Sequence, residues 1–410
     1  MVGYADMKEV LLWVQTTGEA NVQFAYWEEG KEVDLFLTEQ IHTVKENAYI
    51  AKIVADRVLP GKTYQYALFI NDQKLTFDYP TRFKTQQLWQ WRTDPPDFSV
   101  ALGSCAYINE TPYDRPGTPY GGDYQIFTSI QAKNPDVMLW LGDNTYLREV
   151  DWNTRTGIFH RYTHTRSLPE MQPLLASRPN YAILDDHDYG SNDSDRSFIH
   201  KDITKEAFEL FWGNPGFGIE GEGLTSKFQF NDIEFFLLDD RTFRSPNHLK
   251  AGKKTILGKQ QLEWLMDALA SSKSPFKMIA IGGQVLNTAA VFENYANHHA
   301  EERAYLLKRI EEENITGVIF LTGDRHHSEL SKYTNKAGNV VYDLTVSPLT
   351  AGASKKVDDV NEYRVPNTLV MQHNFGVLDF SGPRKARVLH IQIYDADGQA
   401  LWDYTIDQAK

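Results

Sequence analysis

Three apolar runs in this chain each lead into a turn that carries acids. The runs and the turns after them are 137–141 with Gly-Asp-Asn-Thr-Tyr at 142–146, 181–184 with Asp-Asp-His-Asp at 185–188, and 317–321 with Gly-Asp-Arg-His at 323–326. Short apolar runs bounded by turns are typical of strands buried on both faces of a parallel sheet, and ligands bind at the carboxyl ends of such strands. We therefore expect the acids and histidines to converge. Because clustered acids repel one another, the simplest interpretation is a site that binds several cations.

Composition narrows the class of protein. The 410 residues are 41% hydrophobic and 13% aromatic, enough to bury a large core and to form two domains. The net charge of -13 argues against a nucleic-acid partner, although local basic residues remain compatible with a small phosphate. The single cysteine, Cys105, excludes an internal disulfide framework. No apolar run approaches the roughly 18 residues of a membrane span, so we expect a globular protein, and we also expect a monomer. No signal segment is evident, and these residues leave the cellular compartment undecided.

The sequence divides near residue 95. Residues 1–95 contain short β-rich segments separated by glycine and polar turns, a spacing typical of a small antiparallel sandwich. The stretch 60–66, Pro-Gly-Lys-Thr-Tyr-Gln-Tyr, resembles a turn and strand of fibronectin type III and related immunoglobulin-like modules. Strand-like runs then alternate with helix-like stretches, which favours an α/β layered domain over 96–410. The alternating terminal segment is expected to close the sheet with antiparallel strands.

Several residues in the acidic turns are candidate metal ligands. Asp143 and Tyr146 are three residues apart and can approach one ion, although a capping aspartate beside an ordinary aromatic is the alternative. The acids in 185–188 follow an apolar run, and burying them without a cation would be costly. Asp324 and His326, two residues apart, can both point inward from one extended segment.

Three further residues have chemistry that suits such a site. His187, flanked by acids, can act as a general acid or donate a hydrogen bond to a developing oxyanion. Cys105 follows another strand-like run, either as a small buried hydrophobe or as a thiolate ligand. Arg241 also ends an apolar run, where it could bind a substrate phosphate or form a salt bridge with Asp239 or Asp240.

The segment 148–179 is rich in arginine, histidine and aromatic residues. It could form part of a lid in which Arg161, His164 and Arg166 contact substrate. A solvated helix face is the alternative interpretation of the same residues.

Four motifs in order resemble the alkaline phosphatase D family of metallophosphoesterases. They are Gly103-Ser104-Cys105, Gly142-Asp143-Asn144-Thr145-Tyr146, Asp185-Asp186-His187-Asp188-Tyr189 and Gly323-Asp324-Arg325-His326. The Gly-Asp-x-x-Tyr element is similar to that of purple acid phosphatases, within the wider calcineurin-like superfamily. The resemblance implies a layered metallophosphoesterase domain behind a small β-sandwich, and a periplasmic or secreted location.

The resemblance also implies roles for individual residues. It implies Fe³⁺ bound by Cys105, Asp143 and Tyr146, with Ca²⁺ bound by carboxylates alongside. The remaining candidate ligands are Asp185, Asp186, Asp324 and His326, and the candidate catalytic residues are His187, Asp188 and Arg241; Asp188 stands where a glutamate is common. Phenolate and thiolate donors favour a trivalent metal, and an acid-rich set suits calcium more than zinc, with Zn²⁺, Mn²⁺ and Mg²⁺ as alternatives.

These observations together predict a metal-dependent phosphoric ester hydrolase of the alkaline phosphatase or phosphodiesterase type, acting on a small phosphate ester. In such a site a metal-activated hydroxide or oxo group attacks phosphorus in line, and His187 stabilises or protonates the leaving oxygen. The alternatives are a phospholipase-type or organophosphate-type hydrolase on the same scaffold, and a non-catalytic binding protein with a vestigial site. The sequence has no phosphate-cradling glycine-rich loop and no Gly-x-Ser-x-Gly elbow, which weakens kinase-like and serine-hydrolase interpretations.

Overall fold

The computed structural model describes residues 1–409. Their strands, in chain order, are β1 (Val2–Ala5), β2 (Val10–Gln15), β3 (Ala20–Glu28), β4 (Phe36–Leu37), β5 (Ile41–Thr43), β6 (Ile50–Ala55), β7 (Thr63–Ile70), β8 (Gln73–Lys74), β9 (Arg82–Lys84), β10 (Phe98–Gly103), β11 (Val137–Leu141), β12 (Asn180–Ile183), β13 (Ser226–Phe230), β14 (Ile233–Leu237), β15 (Lys277–Ala280), β16 (Val318–Thr322), β17 (Glu329–Thr334), β18 (Val340–Thr345), β19 (Asn374–Ser381), β20 (Val388–Asp395) and β21 (Ala400–Asp407). The α-helices are α1 (Gln125–Ala132), α2 (Arg155–Arg166), α3 (Gln172–Ser177), α4 (Asp186–Tyr189), α5 (Lys201–Phe211), α6 (Gly258–Ser271), α7 (Tyr295–His298) and α8 (Ala300–Glu312).

The first nine strands form two antiparallel sheets. β1, β2 and β6 make one, and β3 with β4, β5, β7, β8 and β9 makes the other. Alternate side chains of both sheets, such as Leu12 and Ile53 from one and Phe24 and Tyr26 from the other, are buried in a single apolar cluster. This N-terminal β-rich segment contacts the rest of the chain, since the Tyr66 hydroxyl donates a hydrogen bond of 2.8 Å to the Ala176 carbonyl. The immunoglobulin-like classification and the boundary near residue 95 stay predictions.

Two six-stranded sheets form the centre of the larger part. Their strand orders are β12-β11-β10-β19-β20-β21 and β13-β14-β15-β16-β18-β17. β10, β11 and β12 are parallel in the first, and β14, β15, β16 and β18 in the second. Apolar residues from the facing sides, including Leu139 and Leu378 of the first sheet and Phe235 and Ile319 of the second, share one core. The terminal strands β19 to β21 extend the first sheet in antiparallel fashion.

Helices cover the outer faces of both sheets. Apolar residues of α1, α3 and α5, such as Phe127 and Phe208, pack on the first sheet beside Trp140. Those of α6 and α8, such as Leu265 and Leu306, pack on the second. The predicted α/β layered architecture is therefore confirmed, with helix, sheet, sheet and helix in succession.

The parallel strands determine where functional side chains can meet. In each sheet their carboxyl ends lie at the same edge, and the two sheets pack face to face. The turns after β10, β11, β12 and β16 contain the predicted ligands, and we call this edge the rim. Of the helices in residues 1–409, none is long and apolar enough to cross a membrane.

Candidate metal centre

The rim turns have an unusual backbone. Cys105, Asp143, Asp324 and His326 all have left-handed conformations, with φ of 60°, 51°, 62° and 53°. Side chains other than glycine rarely adopt this region, and such residues concentrate at functional sites where the surrounding structure holds them. The strands thus end in turns whose backbone conformation directs the acidic side chains toward one another at the rim.

Two glycines let the backbone approach Asp185 closely. Gly142 has φ of 88°, and a Cβ built on it would lie 2.7 Å from the Asp185 Cβ. A Cβ built on Gly282, just beyond β15, would lie 2.4 Å from the Asp185 Cγ. Any larger residue would displace the carboxylate. The sequence prediction missed Gly282, although its signal was another apolar run that ends in Gly-Gly.

The rim brings the predicted ligands together. In each of four groups the candidate ligand atoms lie within 4.8 Å of one another. The groups are Cys105 with Asp143 and His326; Asp143 with Asp186 and His187; Asp143 with Asp185, Asp186 and Asp324; and Asp186 with Asp193 and Glu293. Asp143 and Asp186 each belong to three of the four, and of these two Asp143 is the one that also groups with Cys105 and His326, so its carboxylate would join neighbouring cations.

One side of the rim carries the thiol, the phenol and an imidazole. Asp143 Oδ2 lies 3.6 Å from Cys105 Sγ and 3.1 Å from the Tyr146 hydroxyl, which lies 3.2 Å from His326 Nε2. Burial raises the pKa of Cys105 to about 12. Burial and then the charge of Asp143 raise the pKa of Tyr146 well above its ordinary value. Both groups are therefore protonated at neutral pH unless a cation favours their anions.

The other side of the rim is made of carboxylates. Burial raises the pKa of Asp143, Asp185 and Asp324, and the charge of Asp186 raises each further. For Asp186 the burial effect is outweighed by His187 and Arg241, which leave its pKa at about 2. We infer that the cluster as a whole cannot ionise fully without added positive charge.

The donor set fits metal ions. Asp185 Oδ2 and Asp186 Oδ1 are buried and have no hydrogen-bond partner among residues 1–409. Unpartnered buried oxygens of this kind are costly, and coordination to a cation satisfies them. Carboxylates suit hard cations, while the thiol and phenol suit a transition metal.

His187 lies at the base of an open cavity of about 820 Å³. Its backbone N–H donates to Asp143 Oδ1 at 3.1 Å, and its ring stacks on Tyr146 with centroids 4.3 Å apart. Asp324 and His326 line the same cavity. The imidazole is therefore held beside the ligands and faces the space that a substrate would enter.

Asp188 and Arg241 are held by protein partners, and neither lines that cavity. Asp188 Oδ2 accepts the backbone N–H groups of Asp185 at 3.0 Å and Asn144 at 3.2 Å, while burial raises its pKa to about 7. Arg241 donates from Nε to Asp185 Oδ1 and from Nη1 to Glu293 Oε2, both at 2.6 Å. Their catalytic assignment stays a prediction.

Two acids at the rim were not predicted. The Asp193 N–H donates to Asp186 Oδ2 at 2.7 Å, and Glu293 pairs with Arg241 and with Arg244, the latter at 2.9 Å. Neither acid follows a strand: Asp193 lies in a polar turn, and the short run Ala-Ala-Val-Phe at 289–292 before Glu293 is a loop. Tertiary folding alone places them.

The segment 148–179 packs against the backbone of the metal centre, where Arg148 donates to the Tyr146 carbonyl at 2.7 Å, but its three candidate substrate contacts do not reach the cavity. Arg161 is buried, and its Nε donates to Asp151 Oδ2 at 2.8 Å. Arg166 is buried over the Trp212 ring, and His164 contacts a backbone carbonyl. None of the three lines the cavity at His187. A solvated face is wrong for Arg161 and Arg166, because both side chains are buried. Contact with a substrate at His187 is not supported for either, because neither lines that cavity.

Comparisons with known proteins agree with this geometry. A family model described as PhoD-like phosphatase matches residues 100–386, more than half of the chain. Alkaline phosphatase D of Bacillus subtilis (strain 168) is 22% identical over 370 residues, which cover 76% of this chain and 60% of that protein. The chain thus spans less than two thirds of that relative.

Two solved structures share the fold. One, described as PhoD, has a TM-score of 0.79 at 15% identity and covers 100% of this chain and 91% of that one. The purple acid phosphatase PPD1 from yellow lupin (Lupinus luteus) seeds has a TM-score of 0.71 at 13% identity, with 99% and 73% covered. The resemblance predicted from the four motifs is confirmed: the chain belongs to the PhoD-like phosphatase family.

Proposed function

We propose that this protein is a phosphatase or phosphodiesterase that hydrolyses phosphoric esters with cations bound at the rim. The observation that carries the proposal is the position of Asp143, whose carboxylate belongs to three groups of candidate ligands. A carboxylate shared in this way can hold two cations side by side, and paired cations stabilise both the attacking and the leaving oxygen of an in-line displacement.

Side chains of the protein supply the rest of the proposed mechanism, beginning with His187. Burial lowers the pKa of His187 although Asp186 acts in the opposite direction, so its imidazole is neutral at neutral pH. A neutral imidazole can donate one N–H hydrogen bond to the leaving oxygen as negative charge develops there. The stacking on Tyr146 and the bond from its own backbone N–H to Asp143 keep that ring in place.

We assign supporting roles to Arg241 and Asp188. Arg241 fixes one oxygen of Asp185, which leaves Oδ2 for a ligand bond. Asp188 connects the turn after β11 to the turn after β12, because it accepts the N–H groups of Asn144 and Asp185. Partners of this kind orient ligands, and their loss usually weakens metal affinity or activity about 10- to 100-fold.

The cavity supports an ester with a bulky organic group. Its volume of about 820 Å³ lies within the range of roughly 300–1,000 Å³ that holds drug-sized ligands and far exceeds one phosphoryl group. Phe292, which is 73% exposed, Val291 and Val357 give the cavity an apolar wall, and Lys356 adds a cation. We therefore favour diesters, or monoesters of large alcohols, over small monoesters.

We propose ferric iron on the thiol side and calcium on the carboxylate side. Cys105 and Tyr146 lie beside one oxygen of Asp143, and His326 lies next to the Tyr146 hydroxyl. Asp185, Asp186 and Asp324 offer only carboxylates. A phenolate on Fe³⁺ gives a visible absorption band that zinc and calcium lack because their d shells offer no acceptor. Tyr146→Phe should bleach or shift the band, and a colourless active protein that contains only zinc would refute the ferric assignment.

Three further expectations are retained as proposals. The N-terminal β-rich segment is proposed to be an immunoglobulin-like sandwich that supports the larger domain. Family resemblance favours a periplasmic or secreted location. We also expect a monomer without nucleic-acid partners, in keeping with the net charge of -13.

Elemental analysis and chromogenic substrates test the function directly. The purified protein should contain metal and should hydrolyse both p-nitrophenyl phosphate and bis(p-nitrophenyl) phosphate, with the larger kcat/KM for the diester. Chelation should abolish both activities, and added metal should restore them. Metal-loaded protein without activity on either ester would favour a binding protein with a vestigial site.

A further inference from the structure

A second cavity, of about 770 Å³, lies between the N-terminal β-rich segment and α2. None of its lining residues lines the cavity at His187, and none is a candidate ligand. One wall comes from β2, β3, β7 and the stretch after β8, and the other from α2 and α3. Its volume also lies in the range of roughly 300–1,000 Å³ that is typical of small-molecule sites.

The walls of this second cavity are mostly apolar. Phe77 and Tyr79 stack with centroids 5.2 Å apart, and both line the cavity with Phe24, Ile70 and Leu75. Leu75 is 38% exposed, and Ile70, Phe77 and Tyr79 are only partly buried. The fold therefore leaves apolar surface accessible in a concave site, which favours an apolar ligand body.

The charges of the cavity have one sign. Lys45, Arg155 and Arg166 line it, and among its lining residues within 1–409 there is no aspartate or glutamate. This is unexpected in a chain with 55 acids and a net charge of -13. Arg155 is already paired with Glu206 at 2.7 Å, and Lys45 is exposed to solvent. Arg166 is therefore the buried cation that lacks a carboxylate partner.

A second buried arginine, Arg178, has more hydrogen-bond acceptors around its guanidinium than Arg166 has. Arg178 donates to the Pro135 carbonyl at 2.7 Å, to Gln131 Oε1 at 2.5 Å and to Ser177 Oγ at 3.1 Å. Arg166, only 7% exposed, makes one such bond, from Nη2 to the Phe211 carbonyl at 3.2 Å. The buried Nε of both arginines has no partner within residues 1–409, so the two differ in the number of acceptors at their Nη atoms. A buried guanidinium with so few acceptors is costly unless an anion joins it.

We propose that this cavity binds an amphipathic anion, an aliphatic carboxylate whose chain lies against Phe24, Phe77 and Tyr79 and whose head pairs with Arg166. The guanidinium fork matches the two oxygens of a carboxylate. The apolar walls take the chain out of water. This site is separate from the hydrolytic one and does not depend on the proposed activity.

Calorimetric titration with decanoate and with decan-1-ol tests the proposal. Decanoate should bind the metal-loaded protein at one site per chain, and decan-1-ol, which has the same chain without the charge, should bind much more weakly. Arg166→Gln should weaken decanoate about ten- to a hundredfold, the usual effect of losing a hydrogen bond to a charged group. Arg178→Gln, which alters the matched arginine outside the cavity, should leave the affinity unchanged.

A second pair of variants keeps the test decisive if Arg166→Gln does not fold. Leu75→Glu places an acid on the apolar wall at a partly exposed position and should also weaken decanoate. Leu59→Glu changes a more exposed leucine, at 54%, that lies outside the cavity, and this variant should bind decanoate as the wild type does. Equal binding of acid and alcohol, equal losses in both members of a pair, or no binding of decanoate would each overturn the proposal.

Discussion

Two regions of the molecule bury carboxylates in opposite ways. At the N-terminus of α6, Glu302 accepts the backbone N–H groups of Ile256, Leu257 and Gly258 and the Tyr295 hydroxyl. At the rim, Asp185 Oδ2 and Asp186 Oδ1 accept nothing from residues 1–409. The first carboxylate is neutralised by the helix end, as anions at helix N-termini commonly are. The second set is left for cations, so the difference separates a structural acid from a ligand.

The largest expected effect follows from removing Asp143, the acid that groups both with Cys105 and His326 and with the other rim carboxylates. Asp143→Ala should lose most bound metal and lower kcat/KM by at least about 10²- to 10³-fold, the effect of losing strong electrostatic stabilisation of a transition state. Metal content and phosphodiester hydrolysis are the measurements. Asp151→Asn, which removes an equally buried acid that pairs with Arg161, should retain its metal. Unchanged turnover in Asp143→Ala would contradict the bridging role.

A smaller effect is expected where a rim residue acts on the substrate without holding metal. His187→Asn should lower kcat about 10²- to 10⁴-fold while the metal content stays the same, because only assistance to the leaving oxygen is lost. The deficit should shrink as the leaving group becomes more acidic, measured over a series of substituted phenyl esters. His299→Asn, which changes a buried histidine bonded to Ser245, serves as the control. An equal deficit across the series would point to a structural role.

The sequence predicted the rim because local patterns encode it. A strand buried on both faces leaves an apolar run, and the acid after it, as at Asp143 or Asp324, must lie where strands end. Asp193 and Glu293 have no such pattern. Arg241 was predicted to form a salt bridge with Asp239 or Asp240 as one alternative, and its Nε does lie 3.6 Å from Asp240 Oδ1. Its closer partner, Asp185, is 56 residues away in sequence and was not predicted. Partners that meet only through tertiary folding leave no local signal.

The fold was predictable to a similar degree. Alternation between strands and helices predicted the α/β layers, and the terminal antiparallel strands were expected. The insertion of β19 beside β10, which are far apart in the chain, depends on long-range pairing that periodicity does not encode. The left-handed conformations of Cys105 and Asp143 were equally unpredictable, since the surrounding structure rather than the residue type imposes them.

The structural carboxylate should affect stability and leave chemistry alone. Glu302→Gln should lower the free energy of unfolding by about 3 kcal/mol, since an amide cannot accept from three backbone N–H groups as a carboxylate does. Urea denaturation measures the loss. Metal content and kcat should stay at the wild-type level. A loss of metal in this variant would remove the distinction between the two regions.

The smallest effect concerns Asp343, a structural acid that shares one property with Glu302 and another with the rim acids. It accepts several hydrogen bonds, as Glu302 does, yet its pKa is raised, as at the rim. Its oxygens accept the N–H groups of Val285 and Leu286 and the Thr322 hydroxyl, yet burial still raises its pKa from 3.8 to about 6. A carboxyl whose pKa is higher in the folded state contributes stability that is complete below its unfolded pKa and is lost as pH rises to its folded pKa.

The sign of the pH dependence therefore tests whether burial raises the pKa of Asp343. Asp343→Asn keeps the shape but cannot ionise, so between pH 4 and pH 6 the wild type should lose about 2 kcal/mol of unfolding free energy relative to the variant. Urea denaturation of both proteins at pH 4, 5 and 6 gives the difference directly, and pH effects shared by the two cancel. A difference that stayed constant with pH would mean that Asp343 has the same pKa in the folded and unfolded states. A difference of the opposite sign would mean that the donors outweigh burial.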